Sequence, residues 1–239
     1  MPEQRDGAVV SYRKEGPVAT ITIDDGKVNA LTFPLIAALN EALDQALEDR
    51  AVVVLAGRPG RFSAGFDLKT LTGGGGEGPA LLTAGFELSE RLLSYPFPVV
   101  IACTGHALAM GSFLLLSGDY RVGADGDFKI GANEVAIGLV MPETAIEICK
   151  QRIPASHFGR VVVNAEIFPP SEAVAAGFLD RVVPAASVTE VASEAAARMA
   201  TLDMRAHTAT KLRVRAGALA AIRATIVSDE AAFVEMLTA

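Results

Sequence analysis

The hydrophobic and polar positions of the first third of the chain alternate between strand and helix patterns. "AVVSYRK" (8–14) and "PVATITI" (17–23) are rich in β-branched residues and meet at the turn "EGP", which predicts a β-hairpin. Thr32 has the character of a helix N-cap, Pro34 follows early in the helix, and apolar residues then recur at helical spacing. "AVVVLAG" (51–57) is continuously apolar, which is typical of a strand buried on both faces in an α/β core.

The same order of elements recurs in the middle of the chain. After a glycine-rich loop, the pattern predicts a helix at about 80–94 and a strand in "PVVIAC" (98–103). A strongly apolar helix follows from about residue 109, and "DYRVGA" (119–124) predicts a further strand. Strand, helix and strand in this order indicate stacked ββα units with parallel pairing.

From about residue 143 the composition changes to alanine-rich helical segments. The one late strand pattern lies in "GFLDRVVP" (177–184), and two long helical patterns follow it. We therefore expect an α/β core over residues 1–185 and a C-terminal helical segment over residues 186–239, which would serve in assembly or as a cover.

Composition and charge exclude several classes of protein. Hydrophobic residues make up 51% of the chain and charged residues 21%, so we expect a sizeable core. The formal net charge of -7 and the lack of a dense Lys/Arg run argue against nucleic-acid binding. Cys103 and Cys149 lie in apolar stretches without CxxC spacing, which indicates reduced core residues. Because no apolar leader and no apolar run of membrane-spanning length occur, we expect a soluble, cytoplasmic protein without a membrane partner.

Several stretches resemble known chemical motifs but fail in detail. "GGGGEG" (73–78) lacks the Lys-Ser/Thr ending of a phosphate loop and is interpreted as a surface loop. "FSAG" resembles half of a nucleophile elbow, but Arg61 stands where the motif needs glycine. The three histidines, His106, His157 and His207, lie far apart without metal-ligand spacing. We therefore expect no catalytic triad and no metal site.

Two small-residue turns remain as candidate functional features. The first is Ser63-Ala64-Gly65, directly after an apolar strand, and the second is the entry into the apolar helix within "GHALAMGSFLLLSGD" (105–119). N–H groups in the first turn of a helix are unpaired, and the helix dipole there favours negative charge. One backbone N–H from each turn would form an oxyanion hole for a carbonyl oxygen that becomes negative during reaction. The alternative is that both turns are only tight packing junctions.

Four motifs in order carry a resemblance to a known family. "FSAGFDL", "GHALAMGSFLLLSGDYRVGA", "IGANEVAIGL" and "FPPSEAVAAGFLDRVVP" resemble the successive signatures of the crotonase superfamily, the enoyl-CoA hydratases and isomerases, from about residue 8 to 215. The resemblance implies an α/β fold, a crotonase-type spiral of ββα units followed by a helical C-terminal part. It also implies an acyl-CoA thioester substrate, no separate cofactor because coenzyme A is part of the substrate, and a homotrimer or dimer of trimers.

By position, the resemblance assigns the two oxyanion-hole donors to the backbone N–H groups of Ala64 and Met110. Hydratases of the family use two glutamates to hold and activate water; here one position is Phe113 and the other is Glu134, in "GANEV". A single acid/base beside an apolar wall resembles the Δ3,Δ2-enoyl-CoA isomerases, in which one glutamate moves a proton between C2 and C4. Phe113 would desolvate Glu134 and raise the pKa of its carboxyl group toward neutrality.

The resemblance also implies a set of residues that contact the acyl-CoA. They are Lys27, Asn29, Ala30, Ala64, Gly65, Phe66, Asp67, Leu68, Phe113 and Asn133. The segment "DDGKVNAL" (24–31) is shorter than its usual form in the family, and the chain stops at "AAFVEMLTA", so we expect it to lack part of the usual cover of the site.

Two alternatives to an isomerase are open from the sequence. A hydratase or a thioester hydrolase of the same fold would have to recruit another acid, and Glu143 and Asp67 are the nearby candidates. A non-catalytic acyl-CoA-binding or scaffold protein would keep the oxyanion hole and lose turnover. Phe113 keeps this second alternative open, and the retained Glu134 argues against it.

Overall fold

The computed structural model describes residues 9–73 and 76–238. Its central feature is a six-stranded sheet in which the first two strands form an antiparallel hairpin and the others pair in parallel, in the order β1-β2-β3-β5-β7-β9. A smaller parallel sheet has the order β4-β6-β8. The strands are β1 (Val10–Glu15), β2 (Val18–Ile23), β3 (Val52–Ala56), β4 (Gly60–Ser63), β5 (Val99–Cys103), β6 (Gly105–Leu108), β7 (Tyr120–Asp125), β8 (Ile130–Gly131) and β9 (Arg181–Pro184).

From β3 to β9 the strands alternate between the two sheets as the chain proceeds, and helices follow the strand pairs. The helices are α1 (Phe33–Glu48), α2 (Leu68–Thr72), α3 (Glu77–Ser94), α4 (Met110–Leu116), α5 (Glu143–Lys150), α6 (Ala155–Val162), α7 (Pro170–Ala173), α8 (Val188–Met199) and α9 (Met204–Thr238). The arrangement confirms the predicted α/β fold of ββα units with a helical C-terminal part. The predicted N-cap of α1 is also confirmed, because the side chain of Thr32 accepts a hydrogen bond from the Leu35 N–H at 3.3 Å.

The glycine-rich stretch differs from the predicted surface loop. Glu77 and Gly78 already belong to α3, and residues 74–75 lie outside the described part of the chain. Gly78 is buried against α2, where a Cβ would stand 2.2 Å from the carbonyl oxygen of Leu71. Helix α3 therefore begins a few residues earlier than the pattern predicted. The glycine at position 78 allows α3 to approach α2 this closely, since any side chain would collide with the backbone of Leu71.

The large sheet has an apolar layer on each face. Helix α8 covers one face with Val188, Ala192 and Ala196, which pack with residues of β3, β5 and β7. The other face belongs to the main core, to which α9 contributes Leu219 and Ile222. Both C-terminal helices thus pack against the strands of the α/β core. The division of the chain into a core and a C-terminal helical segment at residue 186 stays a prediction.

Three further expectations concern the cysteines, membrane-spanning helices and metal ligands. Cys103 and Cys149 are buried and free, as predicted for reduced core residues. Within residues 9–73 and 76–238, no helix is long and apolar enough to cross a membrane. In the same residues, no cluster of three or more His, Cys, Asp or Glu side chains is arranged to hold a metal ion.

Candidate active site

Glu134 lies just after β8, where a short 3-10 turn (Val135–Ile137) begins. Its side chain is buried, with 6% of the residue exposed, and Oε2 makes no hydrogen bond to any described residue. Burial raises the pKa of the Glu134 carboxyl group from 4.5 to about 7, because the charged form loses its hydration. A carboxyl group with this pKa can both accept and return a proton at neutral pH.

The Glu134 carboxyl group faces a largely apolar cavity of about 140 Å³. The cavity is lined by Ala64, Phe66, Leu68, Leu71, Leu82, Phe86, Leu108, Ala109, Phe113, Asn133, Glu134, Ile137, Leu139, Val140, Pro142 and Phe233. Glu134 is the one ionisable side chain among these described residues. Asn133 adds a buried amide oxygen without a hydrogen-bond partner in the described chain. The cavity therefore combines a single proton carrier with hydrocarbon walls.

Phe113 forms one of these walls. It projects from α4, is 1% exposed, and its ring centroid lies 6.2 Å from that of Phe86 on α3. The position at which family resemblance implies a second carboxylate in hydratases is thus filled by a packed aromatic ring. Such a ring can neither accept a proton nor bind water by strong hydrogen bonds.

The expected role of Ala64 as an oxyanion-hole donor is wrong. Its backbone N–H donates to the carbonyl oxygen of Val28 at 3.1 Å, so this donor is already occupied within the fold. Ala64 does line the cavity.

Phe66, two residues further on, has the free donor that sequence reasoning missed. Leu31 pairs with Phe66 in a parallel bridge, in which Leu31 N–H donates to Gly65 O at 2.8 Å and Asp67 N–H donates to Leu31 O at 3.0 Å. Because extended backbone alternates its direction, the N–H of Phe66 faces away from Leu31. It makes no hydrogen bond to any described residue.

The backbone N–H of Met110 is the other group that the sequence resemblance singles out as a donor. Ala109, with φ 48°, turns the chain into α4, and the first bonds of that helix come from Ser112 and Phe113 to Ala109 O. The N–H of Met110 consequently has no partner within the described residues. Gly65 brings the two turns together, because with φ 94° it leaves a space in which a Cβ would stand 3.1 Å from Met110 N.

Asn29 braces the turn instead of reaching toward a ligand. It is fully buried, and its side-chain Nδ2 donates to the carbonyl oxygens of Ile23 at 3.0 Å and Phe62 at 3.1 Å. Its carbonyl oxygen accepts a 2.7 Å bond from the Ser63 hydroxyl, which in turn accepts the Gly65 N–H at 3.2 Å. The expectation that the Asn29 side chain contacts substrate is therefore corrected, because its hydrogen bonds hold the turn that presents the Phe66 N–H.

The remaining predicted contacts divide between the cavity and its surroundings. Leu68 and Asn133 line the cavity, whereas Lys27, Ala30 and Asp67 do not. Lys27 is exposed, and the Ala30 N–H donates to the neighbouring Asp25 at 3.3 Å.

Neither alternative second acid lies in the Glu134 cavity. Asp67 Oδ2 caps α2 by accepting the Thr70 N–H at 2.9 Å and the Thr70 hydroxyl at 2.7 Å, and these bonds lower the pKa of the Asp67 carboxyl group. Glu143 accepts a 3.2 Å hydrogen bond from the Ser228 hydroxyl and lines an adjoining cavity of about 360 Å³.

The family model for enoyl-CoA hydratase/isomerase matches residues 13–238. The chain belongs to the enoyl-CoA hydratase/isomerase family. Family membership confirms the resemblance read from the four motifs.

Proteins named as isomerases and proteins named as hydratases are both similar to this chain. Human mitochondrial enoyl-CoA delta isomerase 1 is 31% identical over 207 residues, which cover 83% of this chain and 67% of the human protein. The crystal structure of human mitochondrial delta3-delta2-enoyl-CoA isomerase matches with a TM-score of 0.91 at 28% identity, covering 96% of this chain and 92% of that one. An enoyl-CoA hydratase from Mycobacterium marinum matches with a TM-score of 0.91 at 49% identity, covering 95% and 100%. These similarities establish an enzyme of the crotonase superfamily, and their names include both reactions.

Because the Glu134 carboxyl group is buried, we expect the stability difference between the parent protein and Glu134→Gln to depend on pH. Since the folded-state pKa of Glu134 is raised, protonation favours the folded state, and this contribution is complete below pH 4.5 and lost as pH rises through about 7. Glu134→Gln keeps a neutral side chain at every pH. We expect the variant to match the parent near pH 4 and to exceed its free energy of unfolding by roughly 3 kcal/mol at pH 8. Urea unfolding at both pH values measures the difference, and a pH-independent gap would contradict the assigned environment.

Proposed function

We propose that the protein moves the double bond of an enoyl-CoA from position 3 to position 2. The observation that carries this proposal is the single ionisable group, Glu134, in an otherwise apolar cavity. A shift of a double bond between neighbouring positions needs one group that removes a proton and returns it to another carbon. It needs no water and no second acid.

The thioester carbonyl oxygen would bind between the N–H groups of Phe66 and Met110. Removing a proton from the carbon next to the thioester places negative charge on this oxygen. Fixed donors stabilise such charge without reorganising, which makes an oxyanion hole the largest single contribution in many acyl-transfer and enolate reactions. Both N–H groups lack partners among the described residues, so they would not have to break a bond to accept the substrate.

Glu134 would carry the proton. In the first step the C2–H bond breaks, its electron pair forms the enolate, and an O–H bond forms on the carboxylate. In the second step the same proton leaves Glu134 and forms a C–H bond at C4, while the double bond settles between C2 and C3. The raised pKa of Glu134, about 7, matches the need to accept and release a proton within one turnover.

The described residues favour this reaction over hydration or thioester hydrolysis. Both alternatives require a water molecule that is held and activated, and family hydratases use two glutamates for it. Here Phe113 replaces one, and the candidate substitutes Asp67 and Glu143 are bonded elsewhere. A scaffold without turnover would bear the stability cost of a buried carboxyl group without a partner and gain no catalysis from it.

The remaining parts of the proposal rest on family resemblance. The substrate is an acyl-CoA thioester, no cofactor beyond the coenzyme A of the substrate is required, and the assembly is a homotrimer or dimer of trimers. A cytoplasmic location is proposed on the same footing.

The reaction is tested by offering a 3-enoyl-CoA and, separately, a trans-2-enoyl-CoA to the purified protein. Because the Glu134 cavity provides no second carboxylate to hold water, we expect double-bond migration to be at least about 100-fold faster than formation of 3-hydroxyacyl-CoA. Chromatography of both products measures the ratio. Efficient hydration without migration would show that the isomerase proposal is wrong.

The role of Phe113 is tested with two variants. Phe113→Glu introduces a carboxylate, and Phe113→Leu is the control for the loss of the aromatic ring. Phe113→Glu restores a second carboxylate and is expected to raise the hydration rate relative to migration, whereas Phe113→Leu is expected to leave the ratio unchanged. Equal ratios in the two variants would mean that Phe113 does not control access of water.

A further inference from the structure

A second cavity lies at the opposite end of the sheet from Glu134. Strand β5 begins at Val99, whose carbonyl oxygen accepts the Asp119 N–H at 2.7 Å, and this end of the strand borders a cavity of about 530 Å³. The Glu134 cavity lies instead near the start of α4, beyond the other end of β5. We name the second space the basic cavity. It is lined by Asp119, Gln151, Arg152, Leu202, Asp203, Ala206, His207, Thr210, Lys211, Val214 and Arg215.

Basic side chains dominate one wall of the basic cavity. His207, Lys211 and Arg215 are spaced four residues apart in α9, which places them along one face of the helix. Lys211 and Arg215 are nearly buried, with 7% and 9% of each residue exposed. Arg152, just after α5, faces them from another element.

Asp119 is the acid that pairs with this wall, and its oxygens are fully used. Lys211 Nζ lies 2.6 Å from Oδ2, and Arg215 Nη2 lies 2.9 Å from Oδ1. The Val99 N–H donates to Oδ2 at 2.8 Å. Lys211 and Arg215 therefore share the single carboxylate of Asp119, which leaves no oxygen of Asp119 free to pair with Arg152.

Arg152 has no carboxylate partner among the described residues. Its Nη2 donates to the carbonyl oxygens of Gly118 at 2.9 Å and Asp119 at 3.4 Å, while Nε and Nη1 make no hydrogen bond there. Burial, together with the like charges of Arg121 and Arg215, lowers the pKa of the Arg152 guanidinium to about 10.

The two other acids near Arg152 are engaged elsewhere. Asp180 pairs with Arg121 through both oxygens, at 2.9 Å and 2.6 Å. Asp203 is exposed and accepts the Ala206 N–H at 2.8 Å at the start of α9. Four cations, Arg121 and the three that line the basic cavity, thus stand against three carboxylates, Asp119, Asp180 and the exposed Asp203, which leaves one positive charge in excess.

We propose that the basic cavity binds a phosphate group, as free inorganic phosphate or as a phosphomonoester. A phosphate group would place negative charge beside Arg152, the one lining cation without a carboxylate partner among the described residues, and its oxygens suit the free Nε and Nη1 of the Arg152 fork. Thr210 and His207 add neutral hydrogen-bonding groups on the same wall. This site is separate from the acyl-CoA cavity and does not depend on the proposed reaction.

Isothermal titration calorimetry with inorganic phosphate tests the proposal, at a constant ionic strength because exposed charges are screened by salt. We expect saturable binding to the wild-type chain. Arg152→Gln is expected to weaken the affinity about 10- to 100-fold, the usual effect of losing hydrogen bonds to a charged group. Arg160→Gln is the matched control, because Arg160 is exposed and paired with Glu166, and it should bind as wild type does.

Arg152→Lys provides the second variant, since it keeps the charge and loses only the fork, and we expect an intermediate affinity. It also serves where the glutamine variant fails to fold by circular dichroism. A parallel titration with glycerol 3-phosphate distinguishes the two sources: equal affinity supports a phosphomonoester, and binding of inorganic phosphate alone supports the free ion. Absence of saturable phosphate binding to wild type, or equal affinity in wild type and both folded Arg152 variants, would overturn the proposal.

Discussion

Glu134→Gln is expected to lower kcat for double-bond migration by about 1000-fold or more, within the range that a positioned acid/base contributes. The amide is nearly the same size as the carboxyl group but can neither accept the C2 proton nor deliver it to C4. Because no other ionisable side chain lines the described cavity, no neighbour can take over the role. Steady-state kinetics with a 3-enoyl-CoA measure the loss.

Binding and fold provide the controls for this variant. The affinity for a saturated acyl-CoA should change little, since Glu134→Gln leaves the apolar walls and the backbone donors in place. Glu134→Asp keeps a carboxyl group that is one methylene further from the substrate, so we expect partial activity between the two. A folded glutamine variant that turns over at the parental rate would mean that Glu134 is not the proton carrier.

Deleting the N–H of Phe66 is expected to lower kcat by about 100- to 1000-fold, the usual loss for one oxyanion-hole donor. The cleanest deletion replaces Phe66 with its α-hydroxy acid analogue, phenyllactic acid, which turns the amide into an ester and leaves the side chain unchanged. The Phe66 N–H has no partner in the described chain, so no hydrogen bond of the fold is deleted, and only the bond from Leu31 N–H to the Gly65 carbonyl oxygen, now an ester oxygen, is weakened. The measured quantity is kcat at saturating substrate.

Ala64 is the matched control, because its N–H belongs to the same turn but donates to Val28. Replacing Ala64 with lactic acid should lower the free energy of unfolding by about 1 kcal/mol, as for an ordinary hydrogen bond, and leave kcat nearly unchanged. The reverse result, with activity lost at Ala64 and kept at Phe66, would restore the donor that resemblance alone assigned.

Long elements with a clear period could be predicted from the sequence. The hairpin, the capped helix α1 and the buried strands β3 and β5 each have a pattern that covers most of the element. The short strands β4 and β6 were missed, because their segments, "GRFS" and "GHAL", contain glycine and no alternation. Their pairing is decided by contacts between distant segments, which no local pattern records.

The residues of the site that lie in contiguous motifs could be predicted from the sequence, whereas those whose hydrogen bonds involve distant segments could not. Glu134 and Phe113 were located because each lies in a contiguous motif, and both line the cavity. The donor was placed at Ala64 instead of Phe66 because the direction of an extended N–H is set by its partner, Leu31, on a different segment. Asn29 was assigned to substrate for the same reason, since its bonds to Phe62 become visible only in three dimensions.

In the proposed reaction Glu134 carries one proton from C2 to C4 within a cavity that excludes water. This transfer can be followed with a 3-enoyl-CoA that has two deuterium atoms at C2, converted in ordinary water and analysed at early times. If Glu134 removes a deuteron from C2 and returns it before exchange, a large fraction of the 2-enoyl product will contain one deuterium at C2 and one at C4. Mass spectrometry and deuterium NMR measure both positions. A product with only solvent hydrogen at C4, or one that is mainly 3-hydroxyacyl-CoA, would show that Glu134 does not transfer the C2 proton to C4.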